Sequence, residues 1–162
     1  MKKILIALLL ACTTNMFGQQ VYTEIKEKAQ AVVNDANANP LLKQISRFKI
    51  DALDYMAMKM REQMPDSTAN YLDRQAFAMN NFVSYYIQKL IENRTQPNAF
   101  QVKIIEAFMD ASFSNPLFND PDKELTLAYF SDGNSLTRFS LDTDWRRAVL
   151  AAKELVRLAE EK

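Results

Sequence analysis

The chain has 162 residues, and its 20 Lys and Arg balance its 20 Asp and Glu. It contains no His, which removes the commonest general base, the catalytic triad and the usual zinc and copper ligand sets. With 2 Gly it also lacks the Gly-rich loops that bind phosphates and dinucleotides, and its charge pattern lacks the concentrated basic face of a nucleic-acid-binding protein.

Residues 1–18 have the pattern of a bacterial export signal. Two lysines precede the apolar run 4–11, which is too short to anchor the chain in a bilayer. We favour cleavage after Gly18. The alternative is a cut before Cys12, because the Leu-Leu-Ala-Cys sequence that ends there resembles a lipoprotein signal and would leave Cys12 lipidated. We therefore predict a periplasmic or secreted protein, or one attached to the envelope by lipid, with no transmembrane segment in the mature chain.

Cleavage after Gly18 would remove the single Cys and two of the 20 basic residues, which leaves a net charge of −2. The remaining segment, 19–162, is long enough for one domain with a hydrophobic core. It would have neither a disulfide nor a thiol nucleophile, so its stability must come from packing.

The rest of the chain carries apolar residues at the three- and four-residue spacing of helices. The predicted helices are 21–36, 40–64, 67–91, 97–111, 121–130 and a last one from Trp145. The second and third are joined by a Pro-Asp-Ser turn, and a turn this short makes them antiparallel neighbours. We therefore predict an all-α fold, with 19–162 as a single compact bundle of five to six helices around a central antiparallel helical hairpin, 40–64 and 67–91.

Methionines are concentrated in the first helix of this hairpin. Met56, Met60 and Met64 share a face at four-residue steps, and thioethers are soft ligands that suit Cu(I). Met also fills irregular gaps between helices. Because no His or Cys completes a site in the mature chain, we favour the packing role, predict no cofactor, and keep Cu(I) binding as an alternative.

A short nucleophile motif lies in the same helix. The sequence Ser-Arg-Phe-Lys at 46–49 matches the Ser-x-x-Lys element, and Ser-Asp-Gly-Asn at 131–134 loosely resembles the Ser-Asp-Asn element of penicillin-recognising enzymes. No Lys-Thr-Gly follows, and the chain is far shorter than that fold requires. We therefore assign no catalytic role to these residues.

Acidic residues cluster around the starts of the last two predicted helices: Asp120, Asp122 and Glu124, then Asp142 and Asp144. A calcium loop would need Gly at its sixth position, but the sixth residue from Asp120 is Leu125. Side-chain oxygens at these positions are well suited to capping helix N-termini. We therefore interpret both clusters as helix caps.

Carboxylates that face each other across a groove could hydrolyse a glycoside without His. The candidates are Asp51, Asp54 and Glu62 on one helix, and Asp73 and Glu106 on two others. Acids are common on solvated helix faces. A small carboxylate-dependent hydrolase of envelope glycan or peptide is therefore an alternative function.

Four apolar residues fall outside the main core stripes of the hairpin helices: Phe77, Tyr85, Tyr55 and Met58. Flanking helices could cover them, or they could form an exposed strip, which in a monomer usually marks a partner or ligand site. Together with the missing catalytic residue types, they favour a non-catalytic exported helical protein that binds a protein, a peptide or an apolar ligand.

Overall fold

The computed structural model describes residues 20–122, 125–126 and 139–161. Its helices are α1 (Gln20–Asn34), α2 (Pro40–Gln63), α3 (Ala69–Glu92), α4 (Asn98–Phe113) and α5 (Trp145–Glu160). The described residues contain no strand, and the predicted all-α bundle is confirmed. The predicted export signal with Cys12, the 131–134 motif and most of the predicted helix 121–130 lie outside the described residues.

The central hairpin is confirmed, with boundaries within two residues of those predicted. Pro40 occupies the first turn of α2, where its missing N–H costs nothing, and the Asn39 side chain accepts a hydrogen bond from the Leu41 N–H at 2.8 Å. The two helices run antiparallel. Lys49 in the first half of α2 contacts Asn80 in α3, whereas Met60 near the turn shares a cavity with residues at the start of α3.

Helix α3 approaches all four other helices, so it is the centre of the bundle. Helix α1 packs across α2 and α3, and α5 packs between α3 and α4. The apolar stripe of α3 is fully buried at several positions, among them Ala76, Met79 and Val83. A helix with neighbours on several sides needs this broad apolar arc.

Aromatic rings form the middle of the core. The Phe82 ring lies edge-on to Phe108, Phe139 and Trp145, with centroid distances of 5.0–5.4 Å. Such pairs add about 0.5–1.5 kcal/mol each beyond the area that they bury. Phe139 comes from the non-helical segment before α5, which therefore contributes directly to the core.

None of the helices in the described part of the chain is long and apolar enough to cross a lipid bilayer. The longest, α2 and α3, have 24 residues each, and each contains several charged residues.

Candidate functional site

A groove of about 1020 Å³ lies between α3, the beginning of α1 and the first turns of α5. Two large apolar side chains face it from different helices: Phe77 of α3 is 58% exposed and Leu150 of α5 is 66% exposed. Tyr71 and Val149 are half-buried in its walls. Exposed apolar side chains that converge on one concavity are typical of binding sites.

The position of α5 against α3 is fixed by a buried amide. Gln75 is fully buried, and its Nε2 donates to Asp144 at 3.0 Å while its Oε1 accepts from the Trp145 N–H at 2.9 Å. Asp144 in turn caps α5 by accepting from the Arg146 and Arg147 N–H groups at 3.1 and 3.3 Å. This confirms the predicted capping role of Asp144. Phe77 of α3 lines the same groove as Asp144, Arg146 and Arg147 at this end of α5.

The groove has a positive balance of charge. Three guanidinium groups line it, those of Arg74, Arg146 and Arg147, together with the carboxylates of Asp73 and Asp144. Both carboxylates already accept backbone N–H groups, Asp73 from Tyr22 at 2.9 Å and Asp144 from the start of α5.

The guanidinium groups make fewer contacts within the protein, relative to their hydrogen-bonding capacity, than these carboxylates do. Arg74 donates to the Asn70 side chain, and Arg147 lies 3.5 Å from Asp144, whereas Arg146 forms no ion pair with any carboxylate in the described residues. Each guanidinium has five N–H donors. The positive end of the α5 dipole adds to their field. The groove is therefore suited to a ligand that combines negative charge with apolar groups.

The structure does not bring the four predicted strip residues together. Phe77 lies in the groove, Met58 of α2 is 36% exposed, and Tyr85 is half-buried with its ring 5.2 Å from Phe108. Tyr55 does not belong to an exposed strip, because it is only 4% exposed. Its ring packs edge-on against Phe118, in a loop that covers this part of α2.

The groove also contains residues that sequence reasoning did not select. Arg146 and Leu150 are four positions apart and therefore share a face of α5. The sequence pattern that could have identified them is the amphipathic pattern of the last helix. In that pattern Leu150 is an apolar residue outside the buried stripe of Trp145, Ala148, Ala152 and Val156. What the pattern alone could not show is that this face adjoins Phe77.

Asp142 organises the loop that covers Tyr55. Its Oδ1 accepts from the Leu117 and Phe118 N–H groups at 3.0 and 2.8 Å, and its Oδ2 accepts from the Asp120 N–H at 2.8 Å. Asn119 between them has a φ of 51°, a left-handed conformation that Asn tolerates better than most residues. Asp142 was predicted to cap a helix, and this is wrong: it caps a loop through long-range contacts.

Asp120 is the other buried carboxylate of this loop. It accepts from the Tyr55 hydroxyl at 2.7 Å and from the Asp122 N–H at 3.0 Å, and it pairs with the Lys59 ammonium at 2.9 Å. The hydrogen bond from Lys59 lowers the pKa of Asp120 to about 2, in spite of burial. Burial and the Asp120 hydrogen bond raise the pKa of Tyr55.

These contacts bear on the calcium alternative for the two acidic clusters. The structure brings Asp120 and Asp142 together, but both are engaged by protein donors, and Glu124 lies outside the described residues. Within 20–122, 125–126 and 139–161, no three Asp, Glu, Cys or His side chains come together to hold a metal ion.

The three methionines predicted as alternative Cu(I) ligands occupy different surroundings. Met56 is fully buried in the core, whereas Met60 and Met64 line a cavity of about 490 Å³ with Tyr22 and Leu72. Met56 does not line that cavity. The three thioethers therefore do not open onto one common site.

The acids proposed for the alternative hydrolase lie in different surroundings, and three of them contact different donor groups of the protein. Asp54 pairs with Lys26 and accepts from the Tyr22 hydroxyl at 3.2 Å, and Glu62 lies 3.6 Å from Lys59. Asp73 accepts from the Tyr22 N–H and lines the groove between α3 and α5, which none of the other four acids lines. Asp51 and Glu106 lie on exposed helix faces.

Comparison with known proteins gives no relative from which to transfer a function. No family model matches the chain, and no curated protein or solved structure matches it significantly. The function must therefore be inferred from the residues of the groove between α3 and α5.

Proposed function

We propose that this protein is an exported, non-catalytic helical module that binds an acidic segment of another protein through the groove between α3 and α5. The observation that carries the proposal is the convergence of exposed Phe77 and Leu150 with the guanidinium groups of Arg74, Arg146 and Arg147 in one concavity. Aromatic residues and Arg are the types most enriched where binding energy is concentrated in protein interfaces.

The charge balance narrows the class of partner. A purely apolar ligand would leave the guanidinium groups without a complement, whereas a polymer of uniform negative charge would leave Phe77 and Leu150 uncovered. A peptide segment with Glu or Asp beside Leu or Phe satisfies both features. Guanidinium groups bind carboxylates in a planar, two-bonded geometry, which adds specificity to the charge attraction.

Export is supported by the N-terminal pattern of two lysines and a short apolar run before Gly18. A partner would then be met in the periplasm, at the envelope or outside the cell. The absence of His, and of Cys after a cut at Gly18, supports a binding role rather than a catalytic one.

The proposal is tested by fluorescence anisotropy with a short labelled peptide composed of Glu, Leu and Phe. We expect saturable binding that weakens as salt is added, because part of the attraction is between exposed charges. Phe77→Ser and Arg146→Glu should each weaken binding by about tenfold or more, since each removes a side chain that lines the groove and that the proposed peptide would contact.

Two exposed positions outside the groove provide matched controls. Val102→Ser repeats the apolar-to-polar change, and Lys103→Glu repeats the reversal of a positive charge; both positions are exposed on α4, which does not line the groove. Both should leave the affinity unchanged. A peptide in which Lys replaces Glu should not bind. Equal binding of the Glu and Lys peptides, or equal losses in the control variants, would contradict the proposal.

A further inference from the structure

A third and smaller concavity lies at the junction of α1, α2 and α3. Its volume is about 220 Å³, and three polar side chains from the two hairpin helices line it: Ser46, Lys49 and Asn80. The opposite wall is a stripe of α1 with Ile25, Ala29 and Val32. The Ser-x-x-Lys spacing thus places both polar residues of the motif on one face of α2, at this pocket.

Lys49 is the unusual residue of this pocket. Its side chain is half-buried, and its Nζ donates to Asn80 Oδ1 at 2.8 Å. No carboxylate in the described part of the chain lies within 4.0 Å of it. Burial lowers the pKa of Lys49, with no carboxylate to oppose this effect. A buried ammonium group is normally paired with an anion, because desolvation is costly without one.

The pocket has hydrogen-bond donors left over. The ammonium of Lys49 has three N–H donors, of which Asn80 takes one. The Asn80 amide nitrogen and the Ser46 hydroxyl line the same pocket and can also donate. The Lys28 ammonium at the rim adds positive charge, and its nearest carboxylate is Glu24 at the long distance of 4.0 Å.

We propose that this pocket is a binding site for a small carboxylate with a short aliphatic tail. The carboxylate accepts hydrogen bonds from Lys49, Asn80 and Ser46, and the tail lies against the Ile25, Ala29 and Val32 wall. The volume of about 220 Å³ restricts the ligand to a few heavy atoms, because it is below the ~300–1,000 Å³ of usual small-molecule pockets. This site is separate from the groove between α3 and α5.

Two sources share this chemistry: a free short-chain acid and the carboxyl terminus of a peptide. Titrations of the protein with butyrate and with N-acetylvaline, followed by backbone amide NMR shifts, distinguish them by affinity. We expect saturable shifts confined to residues around 25–32, 46–49 and 80. Butyramide has the same shape as butyrate without the charge, and it should not produce these shifts.

Two substitutions test the site from opposite directions. Lys49→Met keeps the length of the side chain and removes its charge, so it should weaken butyrate binding by about tenfold or more. Asn80→Asp places a carboxylate beside Lys49 and should exclude the ligand while keeping the fold. This second variant preserves the test if Lys49→Met does not fold. Lys153→Met on the exposed face of α5 is the matched control and should bind as the unmodified protein does.

The proposal would be wrong if neither acid produced saturable shifts, or if butyramide bound as tightly as butyrate. It would also be wrong if inorganic phosphate bound at these residues and the two acids did not. Retained affinity in both pocket variants would likewise overturn it. Failure of the two proposals can be told apart, because binding of the peptide of Glu, Leu and Phe is tested with substitutions at Phe77 and Arg146, which do not line this pocket.

Discussion

Two lysines on the same helix, Lys59 and Lys49, have opposite surroundings. Lys59 lies 2.9 Å from the buried carboxylate of Asp120 and 3.6 Å from Glu62, and its pKa is raised chiefly by the Asp120 hydrogen bond. Lys49 is hydrogen-bonded to a neutral amide, and burial lowers its pKa. The fold places a carboxylate beside the ammonium group of Lys59. Within the described residues it places none beside that of Lys49, whose remaining donors can bind solvent or a ligand.

This difference separates a structural cluster from a candidate binding pocket. Around Lys59 the charge network is closed: Asp120 also accepts from Tyr55, and Asp142 accepts three backbone N–H groups of the same loop. Closed buried networks stabilise one particular arrangement of a fold. Around Lys49 the network is open, with spare donors and an adjoining cavity, which is the arrangement expected of a site that receives a ligand.

The largest effect is expected at the closed network, for Asp142→Ala. This change leaves three backbone N–H groups in the 117–120 loop without their acceptor, and Asp142 itself is only 3% exposed. We expect the free energy of unfolding to fall by about 3–5 kcal/mol. Urea denaturation measures the change. Asp110→Ala, at an exposed acid on α4, is the control and should stay within about 0.5 kcal/mol.

An effect of intermediate size is expected for the pH dependence of stability. The folded pKa of Asp120, about 2, is below its ordinary value of 3.8, so the unfolded chain binds the proton more readily. The stabilisation is complete above about pH 5 and is lost as the pH falls through the folded value. We expect this one group to contribute about 1–2 kcal/mol, less than the full shift implies, because water still reaches the Lys59 end of the pair.

The substitution Asp120→Asn isolates this contribution. At neutral pH the variant should be less stable than the unmodified protein, and the two should converge as the pH approaches 2, where Asp120 also becomes protonated. Urea midpoints measured at a series of pH values give the difference directly. A difference that does not narrow on acidification would show that the Lys59 pair is not its source.

The part of the fold that local sequence determines was predictable. The periodicity of α2 and α3, and Pro65 between them, define the hairpin to within two residues. Asp144 was identified as a helix cap because its partners, the N–H groups of Arg146 and Arg147, are adjacent in sequence. Helix boundaries and helix caps depend on residues that are close together in the sequence, so the sequence pattern is enough to predict them.

The features that were missed depend on residues far apart in the chain. Tyr55 has the periodicity of a surface position on a widened apolar arc, but it is covered by a loop whose Asp120 is 65 residues away. The carboxylate of Asp142 is 22–25 residues from the N–H groups that it accepts. Likewise, periodicity identified Phe77 as a candidate partner-binding residue, but only the packing of α5 against α3 places Leu150 in the same groove.

The smallest effect is expected for Lys49→Met, and its comparison with Lys59→Met is the sharpest test of the contrast between the two lysines. Lys59→Met removes the partner of a buried carboxylate and should clearly lower the urea midpoint, because the remaining charge of Asp120 is left buried without compensation. Lys49→Met removes a half-buried charge that has no counter-charge and retains the apolar stem. Its stability should therefore be unchanged or rise by up to about 1 kcal/mol.

The sign of the difference between these two variants is the critical result, because α2, the chemical change and the measurement are the same. If Lys49→Met lowered stability as much as Lys59→Met, the pocket at Ser46 and Asn80 would be a completed structural cluster like the one at Asp120. If Lys49→Met were neutral or stabilising while butyrate binding was lost, the charge of Lys49 would make no net contribution to the stability of the free protein, or would lower it. Such a result would also show that the hydrogen bond from Lys49 to Asn80 adds little to stability, and it would favour a role for this charge in binding a ligand.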